Sequence, residues 1–180
     1  MIRAFVALIL PTVLRDELEE LQTDLTVGRL VPGENFHLTL AFLGEHPRPA
    51  LEDLHLALER ISASTPEVVL TGLNVFGGAV PRVLFADVAP SPELSILRSK
   101  VHRASREAEI APDSRKFYPH ITLARFSAMG AQDLVDLDAF IARRIGLNAG
   151  PFRIGSFGLF QSQLTSKGSA YHLLTDYPLG

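Results

Sequence analysis

Two short stretches of the sequence place a histidine and a threonine at the same spacing within segments that have the pattern of a strand. One reads NFHLTLAFLGE, and the other, whose histidine lies 83 residues later, reads YPHITLARFS. Because successive side chains of a strand alternate between its faces, His37 and Thr39 should share one face of the first strand. By the same reasoning, His120 and Thr122 should share one face of the second strand. The sequence therefore predicts two strands that present the same pair of polar groups.

Two such strands facing each other would bring both histidines and both threonines into one cleft. An imidazole has an unperturbed pKa of about 6.5, so at neutral pH one histidine can accept a proton while the other donates one. Threonine hydroxyls can donate hydrogen bonds to the non-bridging oxygens of a phosphate. This combination favours a reaction at a phosphodiester, with His37 and His120 as acid and base and Thr39 and Thr122 binding the phosphate.

A structural role and a metal site are the alternatives for these histidines. A single histidine in an apolar strand is more often structural, but the repeated context favours catalysis. Each motif offers one metal ligand, without an acidic or second histidine partner at ligand spacing, so a metal site is disfavoured. No cofactor is expected, because a P-loop, a dinucleotide glycine fingerprint and a serine-hydrolase elbow are all absent from the sequence. Four histidines without a repeated context are predicted to face solvent, namely His46, His55, His102 and His172.

The composition is that of a folded protein, and the length of 180 residues predicts one domain covering residues 1–180. The net charge of −3 provides no overall basic field for binding long nucleic acids. Any nucleic-acid contact should therefore be local, and four basic residues near the motifs are candidates for it: Arg82, Arg115, Lys116 and Arg125. Arg82 and Lys116 are equally consistent with solvated surface charge.

The chain contains no cysteine, which excludes disulfides, thiolate metal sites and a cysteine nucleophile. This composition is compatible with a reducing compartment. The apolar opening MIRAFVALIL stops at Pro11 and is too short for a membrane span, which needs about 18 apolar residues. We therefore expect a cytoplasmic protein that does not contact membranes.

Hydrophobic periodicity predicts four helices and seven strands. The helical stripes are Leu14, Leu18, Leu21 and Leu25; Leu51, Leu54, Leu58 and Ile61; Leu94, Leu97, Val101, Ala104 and Ala108; and Leu134, Leu137, Ile141 and Ile145. The strands are the opening segment, the two motif segments, the hairpin EVVLTGLNVF and RVLFADV around GGAVP, and the closing FRIGSFGLFQ and AYHLLT. The order predicts an α+β fold of two similar lobes, each a small, mostly antiparallel sheet with helices on its outer face. The two sheets should face a central cleft.

Several segments in this order resemble the 2H phosphoesterase superfamily, specifically its RNA 2',3'-cyclic phosphodiesterase branch, formerly called 2'-5' RNA ligase. They are FVALILP, PGENFHLTLAFLGE, PRVLF, RKFYPHITLARF and SQLTSKGSAYHLL, and they span nearly the whole chain. The resemblance implies a bilobal α+β fold and metal-independent opening of a terminal 2',3'-cyclic phosphate to a 2'-phosphate. RNA ends or small cyclic nucleotides would be the binding partners, and no protein partner is evident.

The resemblance also implies roles for individual residues. His37 would be the proton donor and His120 the proton acceptor, although the near symmetry of the two strands gives no physical preference. Thr39 and Thr122 would hold the phosphate. The family further uses an aromatic residue five positions after the first histidine and an arginine five positions after the second. These correspond to Phe42 and Arg125.

Strict alternation would turn Phe42 and Arg125 away from the cleft, so we expect an irregularity in each motif strand. Two positions depart from the family pattern: Leu30 stands where an aromatic residue is frequent, and Phe85 where tryptophan is. Both departures would affect contacts at the edge of the substrate.

Three functions remain open at this point. The first is the RNA 2',3'-cyclic phosphodiesterase just described. A second keeps both histidines but acts on 2'-5' oligonucleotides or on a cyclic phosphate of a non-RNA nucleotide. A third is a non-catalytic module that binds phosphorylated RNA ends, which would need donors for phosphate but no acid and base pair.

Overall fold

The structure is a computed structural model that describes residues 1–165 and 168–180, and these residues form nine strands and four helices. The strands are β1 (Ile2–Ile9), β2 (Arg29–Leu30), β3 (His37–His46), β4 (Glu67–Phe76), β5 (Val83–Val88), β6 (His120–Arg125), β7 (Ala149–Arg153), β8 (Ser156–Thr165) and β9 (Gly168–Pro178). The helices are α1 (Thr12–Gln22), α2 (Arg48–Glu59), α3 (Pro92–Glu107) and α4 (Ala131–Ala142). A short 3₁₀ turn, Gly33–Asn35, precedes β3.

The strands form two antiparallel sheets. The first has the order β3-β1-β8-β9 and the second the order β2-β6-β5-β4-β7. The predicted α+β class with two small antiparallel sheets is confirmed. The sheets do not follow the two halves of the chain, because the β8–β9 hairpin pairs with β1. The first sheet is therefore built from both ends of the chain, and the second from its middle.

The helices cover these sheets with the apolar stripes predicted from the sequence. Helices α2 and α3 pack against each other, α3 contacts β3, and α2 contacts β9. Helix α1 contacts the 3₁₀ turn and β7 of the second sheet. The fully buried positions of these three helices follow the predicted spacing: Leu14 and Leu18, Leu54 and Leu58, and Leu94, Leu97 and Val101. Removing these side chains from water is the main favourable term that holds the helices on the sheets.

Two predictions about the second half of the chain are wrong. In α4 the core-facing residues are Leu137 and Phe140, whereas Ile145 lies beyond the end of the helix and is 85% exposed. The segment FRIGSFGLFQ is not one strand. It divides between β7 and β8, which belong to different sheets, and Ile154 and Gly155 connect them. Periodicity cannot detect such a break, because both parts are apolar and extended.

Candidate functional site

His37 and His120, called the motif histidines below, are the first residues of β3 and β6, the motif strands. These two strands belong to different sheets and contact each other. Both imidazoles are partly buried, and each motif histidine is followed by a fully buried residue, Leu38 or Ile121. Thr39 is partly buried in the same alternating pattern. Thr122 occupies the matching position of β6. The alternation predicted from the sequence is therefore present at the start of both strands.

Both motif histidines are held by the same backbone contact. Nδ1 of His37 lies 2.7 Å from the backbone oxygen of Asn35, and Nδ1 of His120 lies 2.7 Å from the backbone oxygen of Tyr118. A carbonyl oxygen can only accept, so Nδ1 carries the proton in each ring. In the neutral form, Nε2 is then an unprotonated acceptor. Each ring is thereby fixed in the tautomer that a general base requires.

The environment of the motif histidines favours their neutral forms. Burial is the main cause that lowers the pKa of His37 to about 4, and the positive charges of Arg125 and His120 lower it further. Burial also lowers the pKa of His120, as do Arg125 and Arg115, while the carboxylate of Asp87 opposes this effect. Arg125 acts on the pKa of both motif histidines and His120 acts on that of His37, which indicates that the fold brings these three side chains near one another.

His37 is surrounded by aromatic side chains that sequence reasoning did not identify. The rings of Phe5 and Tyr171 each lie 4.9 Å from the imidazole, measured between centroids, and Phe160 stacks on Phe5 at 5.2 Å. These residues come from β1, β9 and β8, so both ends of the chain contribute to the burial of His37. Nothing in the sequence near the first motif indicates this packing.

His120 has a different set of neighbours. The rings of Phe76 and Phe85 lie 5.0 Å and 5.2 Å from its imidazole and stack on each other at 4.1 Å. Phe85 is 1% exposed and packs against the imidazole of His120. Leu30, the other departure from the family pattern, is 42% exposed on β2 beside β6.

Asp87 is the cross-strand partner of His120, since the two residues pair in β5 and β6. The hydroxyl of Tyr118 donates a 2.7 Å hydrogen bond to Oδ1 of Asp87, and this bond raises the pKa of Tyr118. The backbone oxygen of Tyr118 in turn accepts from His120. Sequence reasoning missed Asp87, whose only signal is an acidic residue inside the apolar strand LFADV.

Phe42 lies on the exposed side of β3 because that strand contains an irregularity. Thr39 and Ala41 pair with adjacent residues of β1, so Leu40 is an extra residue, or bulge. Both Leu40 and Ala41 are buried, and Phe42 is 46% exposed. The ring of Phe42 lies 6.1 Å from that of Phe5, which packs against the first motif histidine. The irregularity expected in this strand is present.

Arg125 reaches the same face of β6 in the same way. Thr122 and Ala124 pair with adjacent residues of β5, so Leu123 is the bulge. Leu123 and Ala124 are both fully buried, and Arg125 is exposed. The effect of Arg125 on the pKa of both motif histidines is consistent with this orientation. The second expected irregularity is also present.

The other basic candidates differ in their surroundings. Arg115 forms a salt bridge with Asp113, and both its charge and that of Arg125 lower the pKa of His120. Lys116 and Arg82 are exposed at positions that precede β6 and β5. Of these residues, Arg125 is the one whose charge acts on both motif histidines.

The sequence predicted that the four remaining histidines all face solvent, but this is not the case for each of them. His172 is exposed. His46 and His55 are partly buried and contact the backbone oxygen of Leu43 and the hydroxyl of Tyr177, respectively. His102 is 6% exposed, so the prediction is wrong for this residue. Its Nε2 lies 3.2 Å from the backbone oxygen of Leu40, so its ring faces β3.

No group of three or more histidine, aspartate or glutamate side chains in residues 1–165 and 168–180 is arranged to hold a metal ion. Within the same ranges, no helix combines the length and the apolar character that crossing a bilayer requires.

Comparison with known proteins places this chain in a family. Residues 8–164 match the sequence model of the 2'-5' RNA ligase superfamily. A protein of Aeropyrum pernix named RNA 2',3'-cyclic phosphodiesterase is 32% identical over 81% of this chain and 83% of its own length. A Thermus thermophilus protein of the same name is 34% identical over 98% of this chain and 90% of its own.

Solved structures agree with this relationship. The crystal structure of TT0787 of Thermus thermophilus has a TM-score of 0.78 and 30% identity, with coverage of 98% of this chain and 97% of that one. E. coli LigT in its apo form has a TM-score of 0.79 and 24% identity, with coverage of 99% and 97%. The sequence match spans most of the chain and the fold agrees over nearly all of it, so this protein belongs to the 2'-5' RNA ligase superfamily.

Proposed function

We propose that this protein is an RNA 2',3'-cyclic phosphodiesterase that opens a terminal 2',3'-cyclic phosphate to a 2'-phosphate by acid–base catalysis. The observation that carries the proposal is the pair of motif histidines, each held through Nδ1 by the carbonyl two residues before it. The name shared by relatives that are 32% and 34% identical over most of the chain supports the same substrate class.

The tautomer of the motif histidines suits both halves of such a reaction. A neutral ring with its proton on Nδ1 can accept a proton at Nε2 from a water molecule. A protonated ring keeps its Nδ1 hydrogen bond to the carbonyl and can donate from Nε2 to a leaving oxygen. The hydrogen bond at Nδ1 therefore leaves His37 and His120 able to take either role. The protonation state of each ring decides which role it takes.

The reaction then requires one proton on the pair. In the free protein the pKa of each motif histidine is lowered, so both are mainly neutral at neutral pH. A phosphodiester bound between them adds a negative charge, which favours the charged form of a nearby imidazole. Substrate binding should therefore be accompanied by the uptake of a proton from solution. This proton gives the pair of motif histidines the one acid that the reaction needs.

The chemical step transfers one proton at each side of the phosphorus. One histidine removes a proton from water as the water oxygen bonds to phosphorus, and the other donates its proton to the 3'-oxygen as the bond from phosphorus to that oxygen breaks. The product is a ribose with a 3'-hydroxyl and a 2'-phosphate. Thr39 and Thr122 would donate hydrogen bonds to the non-bridging oxygens, and Arg125 would stabilise their added charge. Phe42 would stack on the base.

By resemblance, His37 is the proton donor and His120 the acceptor. The electrostatics of the free protein do not favour this order, because burial lowers the pKa of His37 to about 4 while Asp87 opposes the lowering at His120. In our proposal the substrate phosphate reverses this preference by raising the pKa of His37 in its apolar surroundings. There an added charge is poorly screened by solvent and acts more strongly.

Product analysis tests the proposed function. The purified protein is incubated with a cyclic mononucleotide, an oligoribonucleotide ending in a 2',3'-cyclic phosphate and a 2'-5' linked dimer, and the products are separated by chromatography. We expect a 2'-phosphate product from the RNA end. A 3'-phosphate product would contradict the assignment, and faster turnover of the 2'-5' dimer would favour the alternative substrate. Binding of the RNA end without any product would indicate a non-catalytic module.

A further inference from the structure

The two motif strands share a feature beyond their side chains, because each has a bulge three residues after the histidine. The bulge is Leu40 in β3 and Leu123 in β6. Strand β3 has a second irregularity further along, where Gly44 and Phe42 pair with the adjacent residues Ala4 and Phe5. An extra residue disrupts the hydrogen bonding of the strand locally and changes the face to which the following side chains point. Here it turns Phe42 and Arg125 toward the face of the motif histidines, so the two bulges determine which side chains line the cleft.

The backbone carbonyls of both bulges accept hydrogen bonds from polar side chains of helices. Nε2 of Gln22, the last residue of α1, donates to the oxygen of Leu123 at 2.7 Å and to the oxygen of Val31 at 2.9 Å. Nε2 of His102 in α3 lies 3.2 Å from the oxygen of Leu40. A carbonyl accepts only, so His102 donates this bond. Each motif strand is thus tied to a different helix at its bulge.

These donors are unusual in being buried. Gln22 is 7% exposed and His102 is 6% exposed, and burying such polar groups costs free energy unless they form hydrogen bonds. Among the described residues, one further polar side chain is buried, that of Ser105. Its hydroxyl bonds to the backbone oxygen of Val101 within its own helix. The two buried polar side chains that form hydrogen bonds outside their own helix therefore both donate to a bulge carbonyl of a motif strand.

We propose that Gln22 and His102 are positioning residues that stabilise the two bulges and thereby hold Arg125 and Phe42 on the cleft face. Without His102 the carbonyl of Leu40 would lose this donor. Without Gln22 the carbonyl of Leu123 would keep only the backbone N–H of Val31, at 2.8 Å, and the carbonyl of Val31 would lose the amide donor. Buried carbonyls that lack donors cost free energy, and the strand could reduce this cost by pairing in regular register without the bulge. Loss of the bulge would return the side chain that follows to the opposite face. The use of Arg125 and Phe42 toward substrate rests on the proposed function, whereas the bulges themselves do not.

Substitutions that remove only the donor test this proposal. Gln22→Met keeps the length of the side chain, and His102→Phe keeps a ring of similar shape. Ser105→Ala is the matched control, because it removes a buried hydroxyl from the same helix as His102 without touching a motif strand. His102→Gln restores an N–H donor. We expect kcat/KM for a cyclic nucleotide to fall about tenfold in the first two variants, to stay near wild type in the control, and to recover partly in His102→Gln.

Double-mutant cycles separate positioning from general destabilisation. If Gln22 acts through Arg125, then adding Gln22→Met to Arg125→Ala should cause little further loss, while adding it to Phe42→Ala should multiply the two losses. His102→Phe should show the reverse pattern, with little further loss in the Phe42→Ala protein. Losses that multiply in all four combinations would overturn the proposal, since a merely destabilising substitution is independent of the side chain removed from the cleft.

A structural measurement keeps the test independent of catalysis. A crystal structure of Gln22→Met should show β6 without its bulge and Arg125 displaced from the cleft. A crystal structure of His102→Phe should show β3 without the bulge at Leu40 and Phe42 displaced. Bulges that remain as in the wild-type protein would overturn the inference even if activity falls. If the wild-type protein fails to open cyclic phosphates, the proposed function fails, but these structures still decide the role of Gln22 and His102. Should Gln22→Met not fold, Gln22→Asn, which shortens the reach of the amide, replaces it in each measurement.

Discussion

Replacing His37 with asparagine should weaken the pH dependence of the stability of this protein between pH 7 and pH 4.5. The imidazole packs between the rings of Phe5 and Tyr171, and burial is the main cause that lowers its pKa to about 4. In the unfolded chain the pKa of a histidine is about 6.5. The unfolded state therefore binds more protons than the folded state between these values, and stability is lost as the pH falls through this window.

The size of the effect follows from the two pKa values. Their difference corresponds to a total of roughly 3 kcal/mol of unfolding free energy that favours the neutral imidazole. Between pH 7 and pH 4.5, most of this is lost, which gives about 2 to 2.5 kcal/mol. Asparagine carries no titrating group, so the variant should lack this contribution. All other side chains are the same in both proteins, so their contributions to the pH dependence largely cancel in the comparison.

Urea denaturation at pH 7 and pH 4.5, followed by circular dichroism, measures this difference for both proteins. We expect the wild-type protein to lose about 2 kcal/mol more than His37→Asn on acidification. Leu38→Ala is a control that destabilises the same strand at both pH values without removing a titrating group. Equal pH dependence of the wild-type protein and His37→Asn would refute the reasoning, because it would mean that His37 is hydrated and titrates near its ordinary pKa.

Other predictions concern the chemistry and the core. His37→Ala and His120→Ala should each lower turnover of a cyclic nucleotide at least about a hundredfold, and wild-type turnover in either variant would contradict the two-histidine mechanism. Turnover should persist in EDTA; a loss that added divalent metal restores would show that a metal takes part. A substrate with sulfur in place of the 3'-oxygen should rescue His37→Ala but not His120→Ala, and the opposite result would reverse their roles. Leu38→Ala should cost about 2 to 5 kcal/mol of unfolding free energy in urea, and a loss below about 1 kcal/mol would show that the site is not tightly packed.

The sequence by itself determined the groups that can do chemistry and the faces that carry them. His37 with Thr39, and His120 with Thr122, follow from a repeated motif and the alternation of a strand. The helical stripes of α1, α2 and α3 were also predicted, because each depends on residues within a few turns of one another. Even the two bulges could be expected. The family resemblance places Phe42 and Arg125 on the cleft face, whereas strict alternation along a strand would turn them away from it.

Contacts between distant segments were decided only by the tertiary structure. The hydrogen bonds from Gln22 to Leu123 and from His102 to Leu40 join residues 101 and 62 positions apart, and neither donor carries a local signal. The low pKa of His37 likewise depends on rings that β1 and β9 bring from opposite ends of the chain. Burial and long-range hydrogen bonding are properties of the packed chain, whereas side-chain type and spacing can be read from the sequence before it folds.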